Sequence, residues 1–230
     1  MALCSATCAH AAGHPVVLEL FTSQSCSSCP PADALLKQLS ADDPDILPLS
    51  FHVHYWDHLS WKDTYSSSAY TDRQKAYAQA LRASGIFTPQ LIVNGTNSVV
   101  GSNAGDVRQA IASAKQTPPG VNISLAASPA NHQLIATITA NGKSVASAEA
   151  DIWKVRFDPY AKTNIGAGEN GGRTLESVNN VTSLKLLGTW RPTEGSKAIA
   201  LDNVLSGGVA ILIQAPHQGA ILSAASYIKK

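Results

Sequence analysis

Two cysteines enclose two serines in Ser25-Cys26-Ser27-Ser28-Cys29-Pro30-Pro31, a spacing that suits dithiol-disulfide exchange or coordination of a soft metal. The apolar run Val16-Val17-Leu18-Glu19-Leu20-Phe21 precedes the pair and a helical pattern follows it, so the motif occupies a strand-to-helix turn. Free N–H groups at a helix start stabilise an anion and raise the thiolate fraction of a nearby cysteine. On this reading Cys26 attacks a disulfide and Cys29 resolves it. A static disulfide across so short a loop stabilises little through chain entropy. Structural zinc wants four ligands, and no cysteine follows Cys29. Copper(I) needs only two thiolates, so a soft-metal carrier using Cys26, Cys29 and His54 is the alternative chemistry, and a non-catalytic binding module is a third reading.

Several other side chains could serve the same site. Glu19 is a carboxylate in an otherwise apolar strand, expected either buried near the dithiol or at an edge reaching solvent. His52 and His54 stand two apart on a second strand, which puts them on one side of it, with His58 nearby; hydrogen-bonded packing is the plainer role for all three. Parallel strands end on the same side, so the loop after this strand should lie near Cys26. Its residues Tyr55, Trp56, Asp57 and Trp61 are expected at the rim of the site, or else as plain packing of a long loop. Gly166-Ala167-Gly168-Glu169-Asn170-Gly171-Gly172-Arg173 lacks the ending of a phosphate-binding loop. It reads as a flexible loop carrying one acid and one base, able to lean toward the dithiol or simply to turn.

The elements that position these residues follow from periodicity. Val16 to Phe21 reads as a buried strand. Ala32, Leu35, Leu36 and Leu39 recur at helical spacing up to about residue 39, with prolines in the first turn. Ile46 to His54 alternates as a strand, which makes a right-handed parallel crossover. A long helix is expected over about 65–84, stopped by Gly85. Leu91-Ile92-Val93, an Asn94-Gly95 turn and Ser98-Val99-Val100 read as a hairpin, and Ala104 to Lys115 as a helix capped by Ser102 or Asn103. Thr117-Pro118-Pro119-Gly120 marks a boundary. Beyond it, alternation at 121–125, 134–140 and 149–157, with apolar runs at 198–201 and 209–214, reads as an antiparallel sheet or small sandwich.

Composition bounds the partners. The 230 residues carry 17 Lys+Arg against 16 Asp+Glu, a net charge of +1, and no basic cluster suggests a nucleic-acid track. Charged residues are 14% of the chain, against about a quarter in typical soluble proteins, which suits an exported protein. No apolar stretch is long enough to cross a membrane as a helix. Residues 1–13 read as a flexible tail or a signal-peptide remnant. Within them Cys4 and Cys8 are leftovers, a lipid-attachment remnant or a second thiol pair.

The order strand, helix, strand, helix, strand, strand, helix, with Cys26 and Cys29 after the first strand and Thr88-Pro89 before the third, resembles the thioredoxin-like superfamily over about 15–116. That resemblance implies a cis Pro89 packed beside Cys26, a Thr88 backbone offered to an incoming peptide, and a proton-relay role for Glu19. More narrowly, the stretch from Glu19 to Asp33 resembles the exported bacterial family known as domain of unknown function 1223. So do Tyr55-Trp56-Asp57, Trp61-Lys62-Asp63, Thr88-Pro89-Gln90, Val93-Asn94-Gly95 and Gly168-Glu169-Asn170. The expectation is an α/β thioredoxin-like domain over 14–117 followed by a mainly antiparallel β, sandwich-like domain over 121–230. It would be a periplasmic or secreted thiol-disulfide oxidoreductase with Cys26, Cys29, Pro89 and Glu19 catalytic and Thr88, Trp56, Asp57 and Trp61 binding substrate. Such chemistry needs no bound cofactor. Its partners are protein or small-molecule thiols and disulfides and a redox partner protein.

Overall fold

A computed structural model describes residues 14–127, 133–141, 149–201 and 206–229. The tail with Cys4 and Cys8 lies outside the described residues. Strand β1 (Val16–Thr22) is buried along its whole length because both of its faces are covered. Helix α1 (Pro30–Asp42) carries the chain to β2 (Ile46–His52), which pairs with β1 in parallel from Val16↔Ile46 to Thr22↔His52. Helix α2 (Ser68–Ala80) is shorter than its sequence pattern suggests: it ends at Leu81, and Arg82 rather than Gly85 takes the left-handed position at φ 54°. Strand β3 (Gln90–Val93) pairs antiparallel with β1 and turns at Asn94 and Gly95, both with positive φ, into β4 (Asn97–Val100). Helix α3 (Ala104–Lys115) starts where the Asn103 side chain accepts the N–H groups of Gly105 and Asp106, which satisfies two of its free donors.

After the Thr117-to-Gly120 turn come β5 (Val121–Ala127), β6 (Leu134–Ala140), the long β7 (Ala150–Asn164) and β8 (Thr174–Trp190), then β9 (Lys197–Ala200), β10 (Gly208–Gln214) and β11 (Ile221–Ile228). Strands β5, β6 and β9 form a small antiparallel sheet. The others join one eight-stranded, mainly antiparallel sheet in the order β11-β10-β7-β8-β2-β1-β3-β4. The strands on either side of the Thr117-to-Gly120 turn therefore share one sheet, through Ser50↔Asn180 and a bond from the Ser50 hydroxyl to the Val178 carbonyl. The sheet curls until the Ile221 N–H donates to the Asn94 carbonyl at 2.9 Å.

Parity on β1 divides the core. Leu18 and Leu20 pack on Ala32, Leu36 and Leu39 of α1 and on Val107 and Ile111 of α3. Val17 and Phe21, on the other face, join Tyr70 and Tyr77 of α2 with Phe157, Val181, Leu212 and Ala224 from the later strands. The small sheet stacks Val121, Leu125, Ala136 and Ile138 on Ile152, Trp190, Ile211 and Ile213 of the large one. Burying such side chains is the main source of stability, each contributing about 1.5–3 kcal/mol.

Candidate functional site

Cys26 and Cys29 form a disulfide across the turn after β1, with their Cα atoms 5.4 Å apart. Cys29 caps α1 and its carbonyl accepts the N–H groups of Ala32 and Asp33, while Pro30 and Pro31 fill the first positions of the helix. Those positions lack intrahelical acceptors, so proline there forfeits nothing. The turn is closed by the Cys29 N–H, which donates to the Cys26 carbonyl at 3.2 Å. Cys26 is 2% exposed and Cys29 fully buried, and Ser27 and Ser28 form the exposed lip.

A sheet-entry residue meets the sulfur, and an aromatic-loop residue backs it. Thr88 donates its hydroxyl to Cys26 Sγ at 3.2 Å and accepts the indole N–H of Trp56 at 2.8 Å. Because the indole nitrogen can only donate, it fixes the hydroxyl proton toward sulfur. The Thr88–Pro89 peptide bond is cis, and the Gly101 N–H holds the Pro89 carbonyl at 2.9 Å. Trp61 braces the approach to Cys26 from the side: its indole donates to Gln24 Oε1 at 3.0 Å and its carbonyl accepts the Ser25 hydroxyl at 2.5 Å. Asp57 is turned into its own loop, accepting from the Ser66 hydroxyl and the Asp63 N–H.

The structure does not bring Glu19 to the dithiol. Its side chain follows the parity of Val17 and Phe21 onto the α2 face, where it accepts Arg73 Nε at 2.8 Å and the Tyr77 hydroxyl. Arg73 and Tyr77 also bond Gln214 of β10. Burial raises the Tyr77 phenol well above its ordinary range, which keeps it a donor. His52 and His54 also part company, since β2 ends at His52 and the period-two rule lapses beyond it. The His54 ring bonds the Thr71 hydroxyl on α2 at 2.9 Å, and that of His58 bonds the Tyr55 carbonyl. Among the described residues, no three His, Cys, Asp or Glu side chains converge to hold a metal ion.

The first turn of α1 carries a carboxyl of its own, Asp33, four residues past Cys29 and so on the same helix face. Thr22 donates to Asp33 Oδ2 at 3.3 Å, while Asp33 Oδ1 is sealed off with no partner among the described residues. Burial pushes this carboxyl up to about 7, against the pull of His52. His52 lies across the strand pair from Thr22 and holds Asp63 Oδ2 at 2.7 Å and Asn180 Oδ1 at 2.9 Å. Burial, the largest single influence, would depress the His52 imidazole, yet Asp63, Asp33 and Asn180 together outweigh it and raise the value. Burial likewise works to raise Asp63, but His52 and the N–H groups of Gln24 and Tyr65 hold it below the carboxylate range. Asp63 thus ties the His52 cluster to the segment that leads into Cys26, since it accepts the Gln24 N–H at 2.7 Å.

Sequence reasoning missed Asp33 and Asn170, the latter reaching Cys26 from the tip of the β7–β8 hairpin. The only signals were the i, i+4 spacing of Cys29 and Asp33 and the Gly168-Glu169-Asn170 block itself. The chain from residue 17 to 214 matches the family described as Protein of unknown function (DUF1223). The chain belongs to this family. The chain is similar to the solved structure of protein AGR_C_4864 from Agrobacterium tumefaciens, 27% identical, with a TM-score of 0.81 over 96% of this chain and 97% of that one. It also resembles HBP35 of Porphyromonas gingivalis in fold, at 17% identity and a TM-score of 0.61, over 93% of this chain and 74% of the other. No curated protein matches the DUF1223 chain.

Proposed function

We propose that the protein is an exported, thioredoxin-like thiol-disulfide oxidoreductase working through Cys26 and Cys29. The observation that carries this reading is the contact of Thr88 Oγ1 with Cys26 Sγ at 3.2 Å, beside a disulfide at a strand-to-helix turn. A parallel β1–α1–β2 crossover, an antiparallel β3–β4 pair and the cis Thr88–Pro89 bond support it. So does the low charge of the chain, which suits export to the periplasm or beyond.

The chemistry is a pair of sulfur displacements. In the reducing direction the Cys26 thiolate attacks a substrate disulfide: a Cys26–substrate bond forms, the substrate S–S bond breaks, and the leaving thiolate takes a proton. Cys29 thiolate then attacks Cys26 sulfur and releases the second substrate thiol, so two electrons have passed to the substrate. A dithiol partner protein restores the reduced pair by the same steps in reverse. The N-terminus of α1 favours the thiolate form of both cysteines, and the Thr88 hydroxyl stabilises the charge on Cys26. The half-buried Trp56–Thr88 side and the exposed Ser27–Ser28 lip receive the substrate.

Turnover of a disulfide substrate by the reduced protein is the test. Cys26→Ser is expected to fall to the uncatalysed rate, and Cys29→Ser to accumulate the mixed disulfide detectable by mass. Wild-type turnover in Cys26→Ser would overturn the proposal.

A further inference from the structure

Asn170 stands 144 positions from Cys26 in sequence, yet its amide nitrogen donates to the Cys26 carbonyl at 2.9 Å and to the Gln24 carbonyl at 2.9 Å. The residue is fully buried. Its Oδ1 accepts Arg173 Nη1 at 2.8 Å. A guanidinium only donates and a carbonyl only accepts, so chemistry forces the amide orientation and its NH2 must face the cysteine turn.

The loop that presents Asn170 is built, not slack, which corrects the reading of 166–173 as a flexible loop. The Ile165 N–H donates to the Arg173 carbonyl, the Gly172 N–H to the Ile165 carbonyl and the Arg173 N–H to the Asn170 carbonyl, at 2.9, 2.8 and 3.1 Å. Ile165 anchors it in the interior at 3% exposure. Gly168 has φ +76° and lies on Trp61, where a Cβ would come within 3.5 Å of the Trp61 Cβ. The side of the turn is thereby saturated: the N–H of Gln24 goes to Asp63, that of Ser25 to the Ser23 hydroxyl and that of Cys26 to the Ser23 carbonyl. The Gln24 and Cys26 carbonyls of this turn go to Asn170.

We propose that Asn170, oriented by Arg173, is a positioning residue for the dithiol. It fixes the Cys26 peptide plane, and with it the direction in which Cys26 faces Cys29, whether the pair is oxidised or reduced. Among the described residues the Cys26 carbonyl otherwise answers only to the Cys29 N–H at 3.2 Å, a bond within the very turn that must stay shaped. In ring closure Cys29 thiolate attacks Cys26 sulfur of a mixed disulfide, the new S–S bond forms, and the electron pair leaves on the outgoing sulfur, which then takes a proton from water. The rate and equilibrium of that step depend on how much of the time the two sulfurs are aligned. The proposal deepens the redox reading, because it says which element outside the cysteine turn sets the ease of closure.

The test is the equilibrium of the Cys26–Cys29 disulfide of the full chain against defined ratios of reduced and oxidised glutathione, with the melting temperature of each oxidised variant measured alongside. Asn170→Ala is expected to lower the effective concentration of the two thiols by about tenfold and to let the glutathione mixed disulfide accumulate. Arg173→Ala, a substitution at an exposed position, is expected to lower it about threefold, with Arg173→Lys restoring part of the loss. Should Asn170→Ala fail to fold, the Arg173 variants carry the test. An unchanged effective concentration in folded variants, with only a lower melting temperature, would overturn the proposal. This equilibrium involves no physiological substrate, so absence of turnover in the wild type would sink the oxidoreductase reading and leave this measurement standing.

Discussion

Asp33 binds its proton more tightly in the folded protein than in the unfolded chain, because one oxygen of its half-buried carboxyl is sealed from water with no partner among the described residues and the group is pushed up to about 7. An acid whose folded value is raised makes stability fall as pH rises from its unfolded value to its folded one. The window here is pH 4 to 7, and the loss has an upper bound of about 4 kcal/mol. Asp33→Asn is accordingly expected to flatten the pH dependence of urea midpoints in that window and to leave the protein more stable than wild type at pH 8. The raised His52 and lowered Asp63 act oppositely at their two ends: the His52 contribution is lost as pH rises past its folded value, the Asp63 contribution as pH falls past its own. The cysteine pair was legible in sequence, since spacing alone singled out Cys26 and Cys29; Thr88 bonds Cys26 Sγ, Trp61 accepts the Ser25 hydroxyl, and Trp56 stands one bond behind Thr88. The placement of Glu19 was not legible, because it depends on which face of β1 meets α1, and a one-residue parity inverts that answer.

Among elements, α2 is held by polar atoms as much as by its tyrosines. Arg73 lies between Glu19 of β1 and Gln214 of β10, with its guanidinium also over the rings of Phe51, Tyr77 and Trp153. Removing one partner of a buried ion pair strands the other charge, at a cost of about 3–5 kcal/mol. Glu19→Gln is therefore expected to lower stability by roughly that amount in urea titration while the rate of thiol exchange stays at the wild-type value. A large loss of exchange in a folded Glu19→Gln protein would return that carboxylate to the redox site. The first helices and strands were readable because their apolar residues keep a clean period. Strands β8 and β11 were not read at all. Register shifts interrupt β7 against β8 at Ile152/Trp153 and Arg156/Phe157, Asn179 adopts φ 45°, and β8 carries buried Asn179 and Asn180 where a plain strand would carry apolar residues. Bulges of this kind break the alternation on which a strand is recognised.

At the scale of the molecule, the eight-stranded sheet crosses the Thr117-to-Gly120 turn, and one apolar cluster draws Phe21 and Phe51 together with Phe157, Val181 and Leu212. Local pattern cannot announce such pairing between distant strands. Tryptophan fluorescence and far-ultraviolet circular dichroism are expected to report one coincident unfolding transition, and residues 14–117 expressed alone to remain unfolded; two separated transitions would contradict this. The β7–β8 hairpin that carries Asn170 also imposes an order on biosynthesis. Cys26 is translated 144 residues before the side chain that holds its carbonyl, a delay of roughly 7–30 s at ordinary elongation rates. During that interval the nascent pair is free to join other thiols, and the finished site exists only once the distant hairpin has arrived and packed.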